Sequence, residues 1–94
     1  PLIAAATAGF VARRFRLPQK GALAVGYDAD IALVDLAQSE VVRADALHYR
    51  HRHSPYVGRT LQGRIVRTVL RGQTIYRDGQ FVAAPAGRLL TPQA

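Results

Sequence analysis

Three histidines fall within a six-residue run, His48, His51 and His53, with Arg50 and Arg52 interleaved. Two imidazoles at an i, i+2 spacing lie on one face of an extended strand, the arrangement by which a His-x-His pair shares a metal ion. The intervening guanidiniums oppose a dication, and the nearest carboxylate, Asp45, is several residues back, so the run reads as a solvated basic loop. Asp28, Asp30 and Asp35 bracket an apolar run and have the residue type for general acid and base work. Asp beside Gly at the entrance to a strand more commonly closes turns through side-chain to backbone hydrogen bonds, and that is the role expected of these three. Ser54 sits near the histidines but lacks the Gly-x-Ser-x-Gly turn that presents a nucleophile. Gly21 and Gly26 carry the spacing of a phosphate loop without the Lys-Ser/Thr that completes it. With no cysteine, neither a thiolate site nor a disulfide is available. No catalytic, cofactor-binding or metal-ligating residue is therefore assigned within the chain.

The composition excludes other classes. At 94 residues the chain suffices for one small domain, and 49% hydrophobic against 20% charged residues separates it from disordered sequences. The net charge is 13 − 6 = +7, and 12 of the 13 cations are arginines spread from Arg13 to Arg88, which is not the pattern of a basic tail. Arginines beside Tyr49, Tyr56 and Tyr76 offer a basic surface with stacking rings. Arg64, Arg67 and Arg71 instead follow the alternation of a sheet, where charge discourages edge pairing, so nucleic acid is not the favoured partner. A stand-alone basic β-domain that binds nucleic acid or protein remains the alternative reading. The apolar run from Leu2 to Ala12 is shorter than the ~20 residues a bilayer requires. Arginines follow it rather than precede it, the reverse of a signal peptide. No membrane association and a cytoplasmic location are expected.

The elements follow from periodicity and turn chemistry. Residues 2–15 have helical stripes, with Pro1 suited to a first turn and Pro18 ending the run. The helix is apolar around much of its circumference and so calls for burial against more than this chain supplies. Asp30–Leu36 reads as a strand buried on both faces, with a second strand over Glu40–Arg43. A short helical turn is expected near Asp45, and a loop over 48–60. Gly63–Gly72, Gln73–Tyr76 and Phe81–Ala83 read as a meander, with Asp78-Gly79 as a type I′ hairpin turn, followed by an irregular tail over 85–94. The expected class is mainly β with one N-terminal helix.

The run from Lys20 to Asp35, with its Lys20-Gly21, Gly26-x-Asp28-Ala29-Asp30 and alternating apolar strand ending in Asp35, closely resembles a signature near the C-terminus of the amidohydrolase superfamily. A second block, from Ser54-Pro55-Tyr56-x-Gly58 through Gly63-Arg64-Ile65-Val66 to Arg71-Gly72 and Asp78-Gly79, resembles the cyclic amidase branch of dihydroorotases, hydantoinases or dihydropyrimidinases, and allantoinases. The Ser54–Gly58 loop and the closing Gly87-Arg88-Leu89-Leu90-x-Pro92 look most like allantoinase. The resemblance extends from Ala12 to Pro92. One departure is that Phe10-Val11 stand where the family commonly has Asn-Pro before Ala12-Arg13.

The resemblance implies that residues 1–17 are the last helix of a (β/α)8 barrel that is itself absent. Residues 18–94 would be the C-terminal part of a small β-sandwich completed by strands from the parent's own N-terminus. It implies a parent that opens a cyclic ureide or imide with a metal-activated hydroxide, the divalent metal, zinc, being held by residues upstream of Pro1. His51, His53 and Lys20 inherit no part in that site, so this segment is expected to be non-catalytic. Its implied partners are the missing strands and barrel, a small cyclic amide for the parent, and further copies in a homo-oligomer.

Overall fold

The structure is a computed structural model that describes residues 1–51 and 53–94. The helix α1, residues 2–14, is continuous but changes pitch: α-helical at Leu2–Ala4, a wider π turn at Ala5–Gly9, and α-helical again at Phe10–Arg14. It ends before Pro18, in a Schellman closure: Arg16 N–H donates to Arg13 O at 3.2 Å and Leu17 N–H to Ala12 O at 2.9 Å. Arg16, at φ 51°, takes the left-handed position that glycine usually fills.

Four strands follow, β1 (Ile31–Val41), β2 (Thr60–Leu70), β3 (Gln73–Arg77) and β4 (Gln80–Phe81), in an antiparallel sheet of order β1-β2-β3-β4. The two tight turns are those the sequence predicts. Arg71 and Gly72 have φ 45° and 84°, Asp78 and Gly79 have φ 49° and 89°, and two successive positive φ values define a type I′ connection. One expectation is corrected: the strands foreseen at 30–36 and 40–43 are a single bulged strand, β1. Its register against β2 slips between Asp35 and Ser39. There the Asp35 carboxylate accepts from Ala37 N–H at 2.9 Å and from the Gln38 amide at 2.7 Å. Gln62 bridges the gap by donating to Leu36 O at 2.6 Å while accepting from the Ser39 hydroxyl at 2.8 Å. Opposite, Gly63 at φ 97° lets the backbone follow the bulge. The ladder continues past β1 through Val42 N–H to Arg59 O at 2.9 Å, closing the base of the 43–58 loop. That loop opens with a short 3-10 turn, Ala44–Ala46.

A second correction concerns burial. The alternation in β1 calls for cover on both faces, yet Leu33, Val34 and Leu36 are 43%, 51% and 73% exposed, and among the described residues only Ala12 is buried. The physical reason is that, among the described residues, the sheet has no second layer and no strand packs directly on α1, which presents Leu2, Ile3, Phe10 and Phe15 to solvent. The surface totals 7850 Å², whereas a closed fold of this mass exposes about 5300 Å². The radius of gyration, 15.1 Å, likewise exceeds the ~12 Å of a compact chain of this length. Expressed alone, the 94-residue chain is expected to self-associate as its concentration rises and to bind an apolar fluorescent dye. Sedimentation equilibrium checks this, and a monomer with a sharp, concentration-independent melt contradicts it.

Candidate functional site

The only lysine, Lys20, follows the helix and precedes a chain of tight turns. Gly21 (φ 86°) is pressed so closely to α1 that a Cβ there would lie 2.6 Å from Ala12 Cβ and 2.8 Å from Ala8 O. Next to this close approach, Lys20 lines a cleft of about 590 Å³ between α1 and the sheet, together with Ala8, Val11, Ile31 and Leu70 among others. The turn returns through Asp28 N–H to Gln19 O at 2.9 Å and brings two carboxylates onto the ammonium. Lys20 Nζ lies 2.8 Å from Asp28 and donates to Asp30, with its own side chain only 13% exposed. The second oxygen of Asp30 accepts the Arg71 backbone N–H at 2.8 Å, and Gly72 N–H donates to Ala29 O at 3.0 Å. The clasp therefore ties the segment after the helix, the entrance to β1 and the β2–β3 turn into one hydrogen-bonded unit.

Hydrogen bonds to Asp28 and Asp30 hold the Lys20 pKa above its ordinary value. Partial burial pushes the Asp30 carboxyl up, but the bonds from Lys20 and the Arg71 N–H, together with their charges, outweigh it and hold that group below the usual carboxylate range. The two shifts act at opposite ends of the pH scale. Asp30, depressed on folding, contributes stability that is full above its unfolded pKa of ~3.9 and lost as pH falls through the folded value. Lys20, raised on folding, contributes stability that is full below ~10.4 and lost as pH rises through its folded value. Protection of the Arg71 amide, corrected for intrinsic exchange, is expected to be flat between about pH 5 and 9 and to fall on either side. A midpoint near neutrality contradicts the assignment.

The other residues singled out by sequence are not brought together with this unit. His48 stands edge-on to Phe81, ring centroids 4.6 Å apart, and Phe81 is in turn edge-on to Tyr76 at 5.7 Å. His51 and His53 are exposed in the loop, and Arg52 lies outside the described residues. The Ser54 hydroxyl accepts Tyr56 N–H at 3.2 Å, a local turn. Gly26 (φ 85°) has open space where a side chain would be. Tyr49 lines a second cleft with Asp45 and His48, and Arg59 lies 5.8 Å over the Tyr56 ring. On the sheet, Arg64 reaches Gln38 and, at 4.0 Å, Glu40, while Arg67 donates to the Thr74 hydroxyl. Among the described residues no group of three His, Asp or Glu side chains converges as a metal site requires. The carboxylate pair that comes nearest, Asp28 with Asp30, already has Lys20 between its members, so a dication does not fit there. What the sequence did not disclose is the clasp itself: a lone lysine in an arginine-rich chain, eight and ten residues before two aspartates, is the signal that marks it.

No protein-family model matches the chain. It is 54% identical over 83 residues to an allantoinase of Rubrobacter xylanophilus, which aligns with 88% of this chain and 18% of that protein. With an allantoinase of Deinococcus radiodurans it shares 50% identity over 93 residues, 99% of this chain and 20% of the other. Among solved structures, dihydropyrimidinase from Brevibacillus agri superposes with a TM-score of 0.73 at 35% identity, covering 81% of this chain and 17% of that one. L-hydantoinase from Arthrobacter aurescens gives 0.64 at 36%, covering 70% and 15%. The chain thus spans about a fifth of the length of the curated relatives it matches. A helix followed by a four-stranded antiparallel sheet, aligned over nearly its whole length with allantoinases, belongs to the cyclic amidohydrolase family and corresponds to the C-terminal part of its members.

Proposed function

We propose that this chain is the structural C-terminal segment of a metal-dependent cyclic amidohydrolase of the allantoinase type, and that the segment itself is not catalytic. The observation that carries this is the uncovered apolar side chains of both helix and sheet, among them Leu2, Ile3, Phe10, Leu33, Val34 and Leu36, in a chain whose total surface is about 2500 Å² above that of a closed fold of its mass. On this reading residues 1–17 are the last helix of the barrel, residues 18–94 are half of a β-sandwich, and the remaining four fifths of a protein the length of the relatives supply the cover. The parent hydrolyses a C–N bond of a cyclic ureide, in the cytoplasm and as a homo-oligomer, and its divalent metal, zinc, is held outside this segment. Supporting this division of labour, the titratable groups at the clasp are committed to one another rather than directed at a vacant position.

The test is ring opening by the natural polypeptide that contains this segment, supplied with zinc and offered allantoin, a hydantoin and dihydroorotate in turn. Opening of allantoin is expected, with no turnover by the 94-residue chain alone. Preference for a hydantoin or dihydroorotate overturns the substrate assignment. Turnover by the short chain overturns its structural role.

A further inference from the structure

Among the described residues no strand packs directly on α1, so within this segment its position relative to the sheet is set by other connections. The clasp after the helix is one connection. The other runs through the irregular segment after β4, which leaves the sheet at Val82 N–H to Ile75 O, 2.9 Å. It then runs beside the cleft, where Gly87, Arg88 and Leu90 form part of the lining. Near its start, Ala86 O accepts a hydrogen bond from Arg71 Nη2, and at its far end Gln93 N–H donates to Arg16 O at 3.0 Å, the carbonyl of the left-handed residue that closes the helix. Arg71 therefore serves both connections, with its backbone N–H on the Asp30 carboxylate and its guanidinium on the segment at Ala86.

We propose that residues 82–94 act as a strap fixing α1 against the sheet, anchored by Arg71 on the β2–β3 turn and by Arg16 at the helix end, with Arg71 as the positioning residue that couples strap and clasp. The two anchors are coupled: once Gln93 lets go of Arg16, the Arg71 contact at Ala86 no longer bears on the helix, and once Arg71 lets go, the segment reaches Arg16 only as a slack tether from β4. This distinguishes it from a set of independent contacts, whose losses add. The inference concerns the joint between helix and sheet and stands apart from the assignment of activity.

The experiment is hydrogen exchange with residue-level readout on the natural polypeptide carrying Arg71→Ala, Gln93→Pro, or both. Arg71→Ala retains the N–H that Asp30 accepts and loses only the guanidinium, while Gln93→Pro removes the far donor. Each single variant is expected to speed exchange of the Phe15 and Leu17 amides about tenfold. The Gly72 and Asp78 amides should be unchanged, and the double variant should be no worse than either single one. Arg71→Lys, which keeps a donor, restores most of the protection. Additive effects, failure of the lysine to rescue, unchanged exchange at the helix end, or equal loss in the sheet each overturn the strap.

Discussion

Replacing Gly21 with alanine is expected to destabilise the natural polypeptide by about 2–4 kcal/mol, the largest effect of any single methyl group in this segment. Two costs combine. At φ 86° an L-residue is strained, and the new Cβ would sit 2.6 Å from Ala12 Cβ and 2.8 Å from Ala8 O, well inside van der Waals contact. Ala12 is the one buried side chain of the helix and Ala8 O is backbone, so neither yields without moving α1. Gly26 supplies the control. It has nearly the same φ, 85°, but nothing within 4 Å of the added atom, so Gly26→Ala carries the conformational cost alone, about 1 kcal/mol. Urea unfolding midpoints of the two variants measure the difference directly. Equal losses would mean that helix and turn do not meet as described.

The second large effect is expected at the clasp. Lys20→Met leaves Asp28 and Asp30 facing one another with no cation between them, and Arg71 N–H as the remaining partner of Asp30. Hydrogen bonds to charged groups contribute about 1.5–3 kcal/mol each. The carboxylates are 24% and 34% exposed, so solvent screening reduces the loss to about 2 kcal/mol in total at neutral pH. Part of it should return in the Lys20→Met, Asp28→Asn double variant, which removes the repulsion. Arg43→Ala is the matched exposed case: its bidentate pair with Asp45, at 2.8 Å and 3.0 Å, stands in solvent on both sides, and no measurable change in midpoint is expected. If Arg43→Ala and Lys20→Met are equally mild, the clasp is merely another surface pair.

What the sequence discloses here is what its neighbours in sequence decide. The helix, the β2–β3–β4 meander and both tight turns depend on residues within a few positions of each other, as Arg71-Gly72 and Asp78-Gly79 illustrate, and their local chemistry is sufficient. The bulge in β1 escaped because it is set from across the sheet by Gln62 and Gly63, beyond Asp35, which still pairs with Arg64 while its carboxylate caps the Ala37 N–H. The alternation Ile31, Leu33 against Ala32, Val34 records which faces the sequence prepares for burial, and says nothing of whether this chain supplies the cover. The bond from Arg71 N–H to Asp30 spans 41 positions, and its donor is a backbone group every residue carries, so no residue type announces it. Of the three aspartates expected to close turns, then, Asp35 does so at Ala37, whereas Asp28 and Asp30 turn their carboxylates to Lys20 and, from Asp30, to the Arg71 N–H, which no local reading supplies.

The central claim is that this helix and half-covered sheet form the structural end of a larger cyclic amidohydrolase. The intact mass of the polypeptide isolated from its native source under denaturing conditions tests it most directly. A mass several-fold above 10.2 kDa, with these 94 residues recovered among its peptides, is the result expected. A mass of 10.2 kDa would contradict it, because the exposed faces of α1 and β1 would then have to be covered by something other than their own chain.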